Sequence, residues 1–329
     1  MNDTFTYAFQ KKLNSFARGC KSFISKNQSK LTNLEKTNLN LGLYHLKNKN
    51  INDAILRFYI VSILNTQNPD AYYLMAKCYY IKRNISKAKK NISRCLNLSK
   101  DHKECKFLNK IITHHGEIEE VPESIIKEFY DSFAPNYDSD LNESEGYFTP
   151  RDLASLARKT IKNKEIKTIL DLGCGTGMCG KHFKKHFKDA KVIGVDLSHN
   201  MLSLARYKKL DKKPVYHELV NSSIYSYLNK SSKKFDVVIA CLSMHYKNAI
   251  QPDLKMVKKM LHAGGVICLA FEKNLINNHD KTLSYGYENF CYNKKHIESE
   301  IDKSKLSILC SGESTIKNDK ISLIYICTK

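Results

Sequence analysis

Although the chain holds 11 cysteines, no two of them stand as Cys-x-x-Cys. Paired metal-ligand spacing is absent, and no metal is expected. Cys174, Cys179, Cys241, Cys268 and Cys327 instead fall in or beside glycine turns and apolar runs, where a thiol behaves as a small hydrophobe. That pattern points to free thiols in a reducing compartment, the cytoplasm. No apolar run reaches the ~18 residues that a membrane span needs. Acid is the scarce charge: 33 Asp and Glu face 54 Lys and Arg, for a formal net charge of +21. An excess of that size suggests a nucleic-acid partner. The lysines, however, are spread through every segment among many Asn and Ile, as AT-rich codon usage produces. A solvated basic surface is therefore favoured over a nucleic-acid interface.

What is present is most informative between Ile169 and Met178, which reads Ile-Leu-Asp-Leu-Gly-Cys-Gly-Thr-Gly-Met. The apolar run from Lys167 to Leu172 predicts a buried parallel strand, and Gly173-x-Gly175-x-Gly177 predicts a turn into a helix. Glycine lets a ligand approach the backbone because no Cβ intervenes. The helix start offers unpaired N–H groups to a carboxylate or phosphate. Asp171 places a carboxylate at the strand end, where it suits the ammonium of an amino-acid-like ligand.

A second strand, Lys191 to Asp196, also ends in an acid, 23 residues past Gly173. In a βαβ unit that position holds ribose hydroxyls. Nicotinamide and flavin nucleotides use the same device, but the Gly-x-Gly-x-x-Gly spacing fails here, because the residue three after Gly175 is Met178. Asp-x-Gly-x-Gly-x-Gly instead resembles class I methyltransferases, which bind S-adenosylmethionine (SAM).

At 329 residues the chain can hold two domains. Residues 1–30 carry six Lys/Arg and one acid, Asp3, with Phe5, Phe9, Phe16 and Phe23 interleaved. A targeting segment has this composition. So does an amphipathic helix of a lysine-rich protein, which is favoured. Residues 31–112 read as helices with a 34-residue repeat: Ala54 and Ala88, then Leu41-Gly42 and Met75-Ala76. Phe58 and Ile92 follow four residues after the two alanines, and Tyr72 and Tyr79 take large aromatic positions. Phe5–Phe23 and Cys105–Ile112 are expected as capping helices. A Gly, Pro and acid cluster over His114 to Pro122 breaks the pattern, and its adjacent histidines read as solvated. The expected division is a helical domain over 1–115, a linker over 116–124 and a second domain over 125–329.

In the second domain an amphipathic helix is expected over Glu123–Tyr137 and another over Asp152–Ile161. Strands then alternate with helices: Lys167–Leu172, Lys191–Val195, Pro214–Leu219, Phe235–Cys241 and Gly265–Phe271. A helix from His296 and strands Leu306–Cys310 and Ile321–Cys327, flanking Ser311–Lys320, close the chain. Alternation of this kind makes an α/β fold with a parallel sheet.

These helices, followed by Val121-Pro-Glu-Ser124, by Phe129-Tyr-Asp-Ser-Phe-Ala-Pro-Asn-Tyr-Asp138 and by the glycine motif, resemble bacterial methyltransferases that carry tetratricopeptide (TPR) repeats. Asn38 stands where such a repeat usually has Trp, and Pro69 falls a few residues late. The second half is also similar to ubiquinone/menaquinone methyltransferases and to the methyltransferase of biotin synthesis. The resemblance implies an all-α TPR-like domain before a Rossmann-like, seven-stranded methyltransferase fold, with SAM as cofactor. It implies that Phe133-Ala-Pro-Asn-Tyr137-Asp138 covers SAM, that Tyr137 touches its methionine end, and that Tyr130 and Phe133 serve helix packing. Further SAM contacts are expected at Asp171, Gly173, Cys174, Gly175, Gly177, Asp196, Leu197, Met201, Ser222, Ser223 and Cys241, with Leu197 and Met201 against adenine. Where relatives have an acid for the adenine amine, this chain has Asn221-Ser222-Ser223. Where relatives have Gly-Arg-Tyr-x-His, it has Glu288-Asn-Phe-Cys-Tyr292, without the Arg or the His.

The wall for the acceptor is expected at Cys241-Leu-Ser-Met-His245-Tyr246, after the fourth strand. His245 is the catalytic candidate there, because imidazole titrates near neutrality. Asp236, at the strand's other end, is expected to be structural. The Asn/Asp-Pro-Pro-Tyr/Phe motif of base and glutamine N-methyltransferases is missing, which disfavours those acceptors. A small molecule is the favoured acceptor. A protein docked on the TPR-like helices, an RNA, or a non-catalytic binding module are the alternatives.

Overall fold

The computed structural model describes residues 28–113, 118–161, 164–275, 281–283, 289–317 and 320–329. The expected Phe5–Phe23 helix and the His114-His115 pair lie outside them. The chain divides into two compact units, residues 1–115 and 116–329.

The first unit contains five described helices: α1 (Gln28–Lys47), α2 (Ile51–Leu64), α3 (Pro69–Ile81), α4 (Ile85–Leu98) and α5 (Lys103–Thr113). Starts recur at the spacing read from the sequence: Ile51 with Ile85, and Pro69 with Lys103. So do the left-handed residues that close α1 and α3, Lys49 at φ 60° and Arg83 at φ 57°. Asn68 caps α3 by accepting from the Asp70 and Ala71 N–H groups, with Pro69 in the first turn. Gly42 lies under the Phe58 ring; a Cβ there would sit 2.4 Å from Cε1. Asn38 is buried and accepts from Arg57 Nη1 at 3.2 Å. Ala54, Phe58, Ala76, Ile92 and Cys95 form the core of the unit.

The second unit is built on a seven-stranded sheet in the order β10-β11-β7-β6-β1-β2-β5. Its strands are β1 (Thr168–Leu172), β2 (Lys191–Asp196), β5 (Glu218–Asn221), β6 (Phe235–Cys241), β7 (Leu261–Glu272), β10 (Ser307–Lys317) and β11 (Lys320–Thr328). Neighbours from β5 to β7 pair in parallel, whereas β11 runs antiparallel to β7 and to β10. Short hairpins pair β3 (Lys209–Leu210) with β4 (Lys213–Pro214) and β8 (Lys281–Leu283) with β9 (Phe290–Tyr292). Central strands are apolar on both sides, as strands covered by helices on two faces must be. The covering helices include α8 (Thr149–Thr160), α9 (Met178–His186), α10 (His199–Ala205), α11 (Ile224–Lys230), α12 (Gln251–Lys259) and α13 (Lys294–Lys303). Strand order reverses beside β1, between β2 and β6, which opens a crevice at the carboxyl ends of those strands. At the opposite ends Asp236 clamps β6 to β1, its Oδ2 accepting from the Lys167 and Thr168 N–H groups at 2.9 Å. Among the described residues no helix is long and apolar enough to cross a membrane.

Three elements depart from expectation. The helix expected over Glu123–Tyr137 stops at Phe133 as α6 (Glu123–Phe133); a 3₁₀ turn over Ala134–Asn136 and a short α7 (Tyr137–Asp140) follow. Pro135 has no N–H to give the Asp131 carbonyl; the Asn200 side chain donates to that carbonyl instead, at 3.0 Å. The third parallel strand begins at Glu218 rather than Pro214, because Val215 and Tyr216 sink beneath the glycine loop. The final hairpin is longer than expected. Residues 311–317 continue β10, since Ser314 is buried and bonded to Asp152 and the Thr315 carbonyl accepts from the Phe148 N–H.

Candidate active site

The three glycines after β1 all take positive φ, 68° at Gly173, 53° at Gly175 and 90° at Gly177, a region costly for other residues. Their surroundings differ. A Cβ on Gly173 would meet Ser243 Cβ at 2.4 Å, and one on Gly177 would meet the Tyr216 ring at 2.8 Å. A Cβ on Gly175 would meet nothing within 4 Å. Gly175 alone of the three thus faces open space, while the others are pressed against protein. The Gly173 and Cys174 N–H groups both donate to the Val195 carbonyl. The Cys174 side chain is buried.

Asp171 does not stand open to an ammonium. Its side chain is 1% exposed, and Oδ2 accepts from the Tyr216 hydroxyl at 2.7 Å. Burial pushes its carboxyl up to about 7, against the Tyr216 and Gly180 hydrogen bonds and with the Asp196 charge adding to the rise. Tyr216 lies in a slot that three small residues leave free: a Cβ on Gly177, Gly180 or Gly194 would come within 2.8 Å of it.

Asp196, at the end of β2, accepts from the Gly175 N–H through Oδ2 and from the Ser198 N–H through Oδ1, both at 2.8 Å. Each carboxylate oxygen has two lone pairs, so the carboxylate keeps acceptor capacity for a ligand. Burial raises its carboxyl above the usual range, against the pull of the Ser198, Gly175 and Leu197 N–H groups. Leu197 is half-buried beside it. Met201, expected against adenine, is 0% exposed and wholly enclosed by protein. It sits one turn into α10, where the side chain points into the core.

The loop after β5 is held by its own bonds. Asn221 donates to the Asp196 and Leu197 carbonyls at 3.0 Å, and the Ser222 N–H to the Asp196 carbonyl at 3.0 Å. Ser223 caps α11 by accepting from the Ser226 N–H. Its hydroxyl retains a donor, whereas the Ser222 hydroxyl donates to the Ser223 carbonyl and keeps only acceptor capacity.

Cys241 ends β6, half-buried. Leu242 follows in the left-handed region at φ 53°, and Ser243 Oγ ties the loop to the Leu172 carbonyl at 2.6 Å. His245 is 5% exposed, with its ring edge-on to Tyr246. Neither ring nitrogen has a hydrogen-bond partner among the described residues. Burial lowers the imidazole to about 4, opposed by Glu272 and assisted by Lys320. Glu272, at the end of β7, accepts from Lys320 at 2.7 Å and from Asn289 at 3.2 Å.

The segment α6–α7 reaches over this crevice. Tyr130 meets Tyr246, hydroxyl to hydroxyl, at 2.6 Å. Ser198 Oγ donates to Asp131 at 2.5 Å, and Thr176 Oγ1 to Asp138 at 2.5 Å. Tyr137 packs edge-on to Phe133 and hydrogen-bonds to Tyr147, its phenol kept protonated by burial. Just before α6, the Val121 N–H donates to the Tyr246 carbonyl at 2.8 Å.

A nucleoside with an amino-acid tail fits this donor set. Gly175 leaves room at the backbone, Asp196 keeps acceptor capacity for vicinal hydroxyls, and Gly177 leaves the start of α9 without a capping side chain. A family model described as a methyltransferase domain matches residues 170–267, from β1 into β7. The chain carries a SAM-dependent methyltransferase domain. Malonyl-[acyl-carrier protein] O-methyltransferase of Priestia megaterium is 28% identical to it over 149 residues, 44% of this chain and 50% of the relative. Ribosomal RNA small subunit methyltransferase C of Haemophilus influenzae is 27% identical over 153 residues, 45% of this chain and 44% of the relative. The chain thus spans half or less of these two proteins. Magnesium protoporphyrin IX methyltransferase of Synechocystis PCC 6803, solved with bound S-adenosylhomocysteine, shares the fold of the methyltransferase domain. Its TM-score is 0.50 at 13% identity, over 63% of this chain and 99% of that one.

Sequence reasoning missed Tyr216, Ser198 and Thr176. Ser198 carried a signal, a hydroxyl just before a helix, and it caps α10 by accepting from the Met201 N–H. Tyr216 carried none, because its partner lies 45 residues away.

Proposed function

We propose that the chain moves a methyl group from SAM to a small molecule, a quinone-type compound or an acyl-carrier-bound acid. The observation that carries this reading is the fastening of α6–α7 to the loops after β1, β2 and β6 at once. An acceptor must fit beneath that cover, which suits a small molecule or a slender acyl arm better than a duplex or a folded protein. SAM supplies a methyl on a sulfonium, an electrophile that needs alignment more than activation. In this reading Gly175, the N–H groups at the start of α9 and Tyr137 hold its methionine end. Asp196 holds the ribose, and Leu197, Ser222 and Ser223 border the adenine. Asp171, Gly173, Gly177 and Cys174 shape the loop from beneath, with Tyr216 as their prop. Cys241 and Tyr246 line the acceptor side. There His245, neutral because it is buried, takes the proton of a hydroxyl acceptor; a carboxylate acceptor needs no base.

A second reading is favoured by the repetition in the first unit. Matching helix starts, left-handed closures and small residues 34 positions apart suit TPR-like repeats that recruit a protein. Tritiated methyl transfer from SAM into a fractionated lysate tests both. Label is expected in the small-molecule and lipid fractions, or on a thioester-linked arm that neutral hydroxylamine releases from its carrier protein, and Asp196→Ala should abolish it. Label on protein that neutral hydroxylamine does not release would favour the second reading, and label in RNA would overturn both.

A further inference from the structure

A chain of hydrogen bonds leaves the covering segment, passes around the donor crevice and returns to it. Asp131 on α6 accepts from Ser198 Oγ. The Ser198 N–H donates to one oxygen of Asp196, and the Gly175 N–H donates to the other. Thr176, the next residue, donates to Asp138 on α7. Asp131 and Asp138 are joined by the Pro135 turn, so the ring closes through the backbone of the cover. Both carboxylates also face ammonium groups: Lys127 with Asp131, and Lys208 with Asp138. Burial alone would raise Asp131, but Lys127 and Ser198 hold it below the usual carboxylate range. It therefore stays ionised at neutral pH.

We propose that Asp131 and Asp138 are positioning residues that latch the cover, so that release of the demethylated product, S-adenosylhomocysteine, waits on breaking them. The proposal rests on the donor site described above. The physical basis is enclosure. A ligand held beside Gly175 and Asp196 lies next to Thr176 and Ser198, the residues that anchor the cover. In this proposal its exit requires a latch to open. Each latch is a charge-assisted bond to a hydroxyl, among the stronger single contacts a loop can make. Neither carboxylate has to touch the acceptor.

The test uses the full chain and tritiated S-adenosylhomocysteine as the probe. Dissociation is followed after dilution into cold ligand, together with amide exchange over residues 123–140. Asp131→Asn, Asp138→Asn and Thr176→Val should each speed release by about tenfold or more, the effect of losing one such bond. Exchange in α6–α7 should rise in the same variants. Thr176→Ser keeps the hydroxyl and should restore slow release, which a packing role for the Thr methyl would not allow. Thr176→Val is nearly isosteric, so it guards against misfolding of the charge variants. Asp196→Ala should lose affinity by a different route, through direct contact. Unchanged release in Asp138→Asn and Thr176→Val, with binding intact, overturns the latch and leaves the donor site standing. A full chain that does not bind S-adenosylhomocysteine at all takes down the donor site, and the latch with it.

Discussion

Asp171 shows how a single side chain changes meaning once its neighbours are known. In sequence it is a carboxylate at a strand end beside a glycine turn, open to a cation. In the folded protein it is sealed under that turn and bonded to Tyr216. Burial lifts its carboxyl to about 7, whereas an unfolded Asp titrates at about 3.9. The folded state therefore holds the extra proton between about pH 4 and pH 7. Stability from this group is full below the unfolded value and is lost as pH rises through the folded one. Asp171→Asn removes that dependence. Relative to the parent chain, the variant should gain stability from pH 5 to pH 8, on the order of a few kcal/mol. Thermal melts of both chains at the two pH values read this directly. Melting curves that shift in parallel would contradict a raised carboxyl. The same residue marks what the sequence could not disclose. Gly173, Gly175 and Gly177 announced a loop, but only packing separates the one that faces open space from the two that accommodate Ser243 and Tyr216.

Among the elements, those with strong periodicity were legible. β1, β2 and β6 lie where apolar runs ended in Asp or Cys, and the 34-residue repeat surfaces as repeated helix starts. Misplaced boundaries have tertiary causes. β5 starts late because Val215 and Tyr216 are drawn under the glycine loop. β10 runs long because Ser314 and Thr315 find partners on α8 and just before it. The α1–α2 pair provides a test at this scale. Gly42 in the middle of a helix costs about 1 kcal/mol relative to Ala on propensity alone. It is nonetheless the residue that admits Phe58. Gly42→Ala should therefore lower stability by about 1–3 kcal/mol, as overpacking does, and Phe58→Leu should recover part of the loss. Denaturant titration of the single and double variants measures the coupling. A Gly42→Ala chain more stable than its parent would show that helix propensity outweighs this contact.

At the scale of the molecule, each unit has its own apolar core, one around Phe58 and Met75, the other around Phe183 and Ile239. Every residue assigned to the donor lies in the second. A fragment of residues 116–329 should fold by itself and bind SAM with the affinity of the whole chain, within about twofold. Calorimetry settles the comparison, and a large loss in the fragment would mean that the helices contribute to the donor site. Turnover separates the two acceptor readings: a fragment that still methylates a small molecule has no need of the helices for recruitment. The basic surface remained ambiguous in sequence for a physical reason. Lysines spread around a molecule and lysines gathered on one face have the same composition.

All ten cysteines among the described residues are free thiols, and eight of them are buried. Native packing shields most of this sulfur from oxidants, and burial keeps several of the thiols, Cys268 and Cys327 among them, protonated. Melting of either unit removes that shield from the thiols in its core. A heated sample in air would then crosslink at random and fail to regain its shape on cooling. The same sample under reductant would return, so the apparent heat tolerance of this enzyme depends on its atmosphere as much as on its contacts.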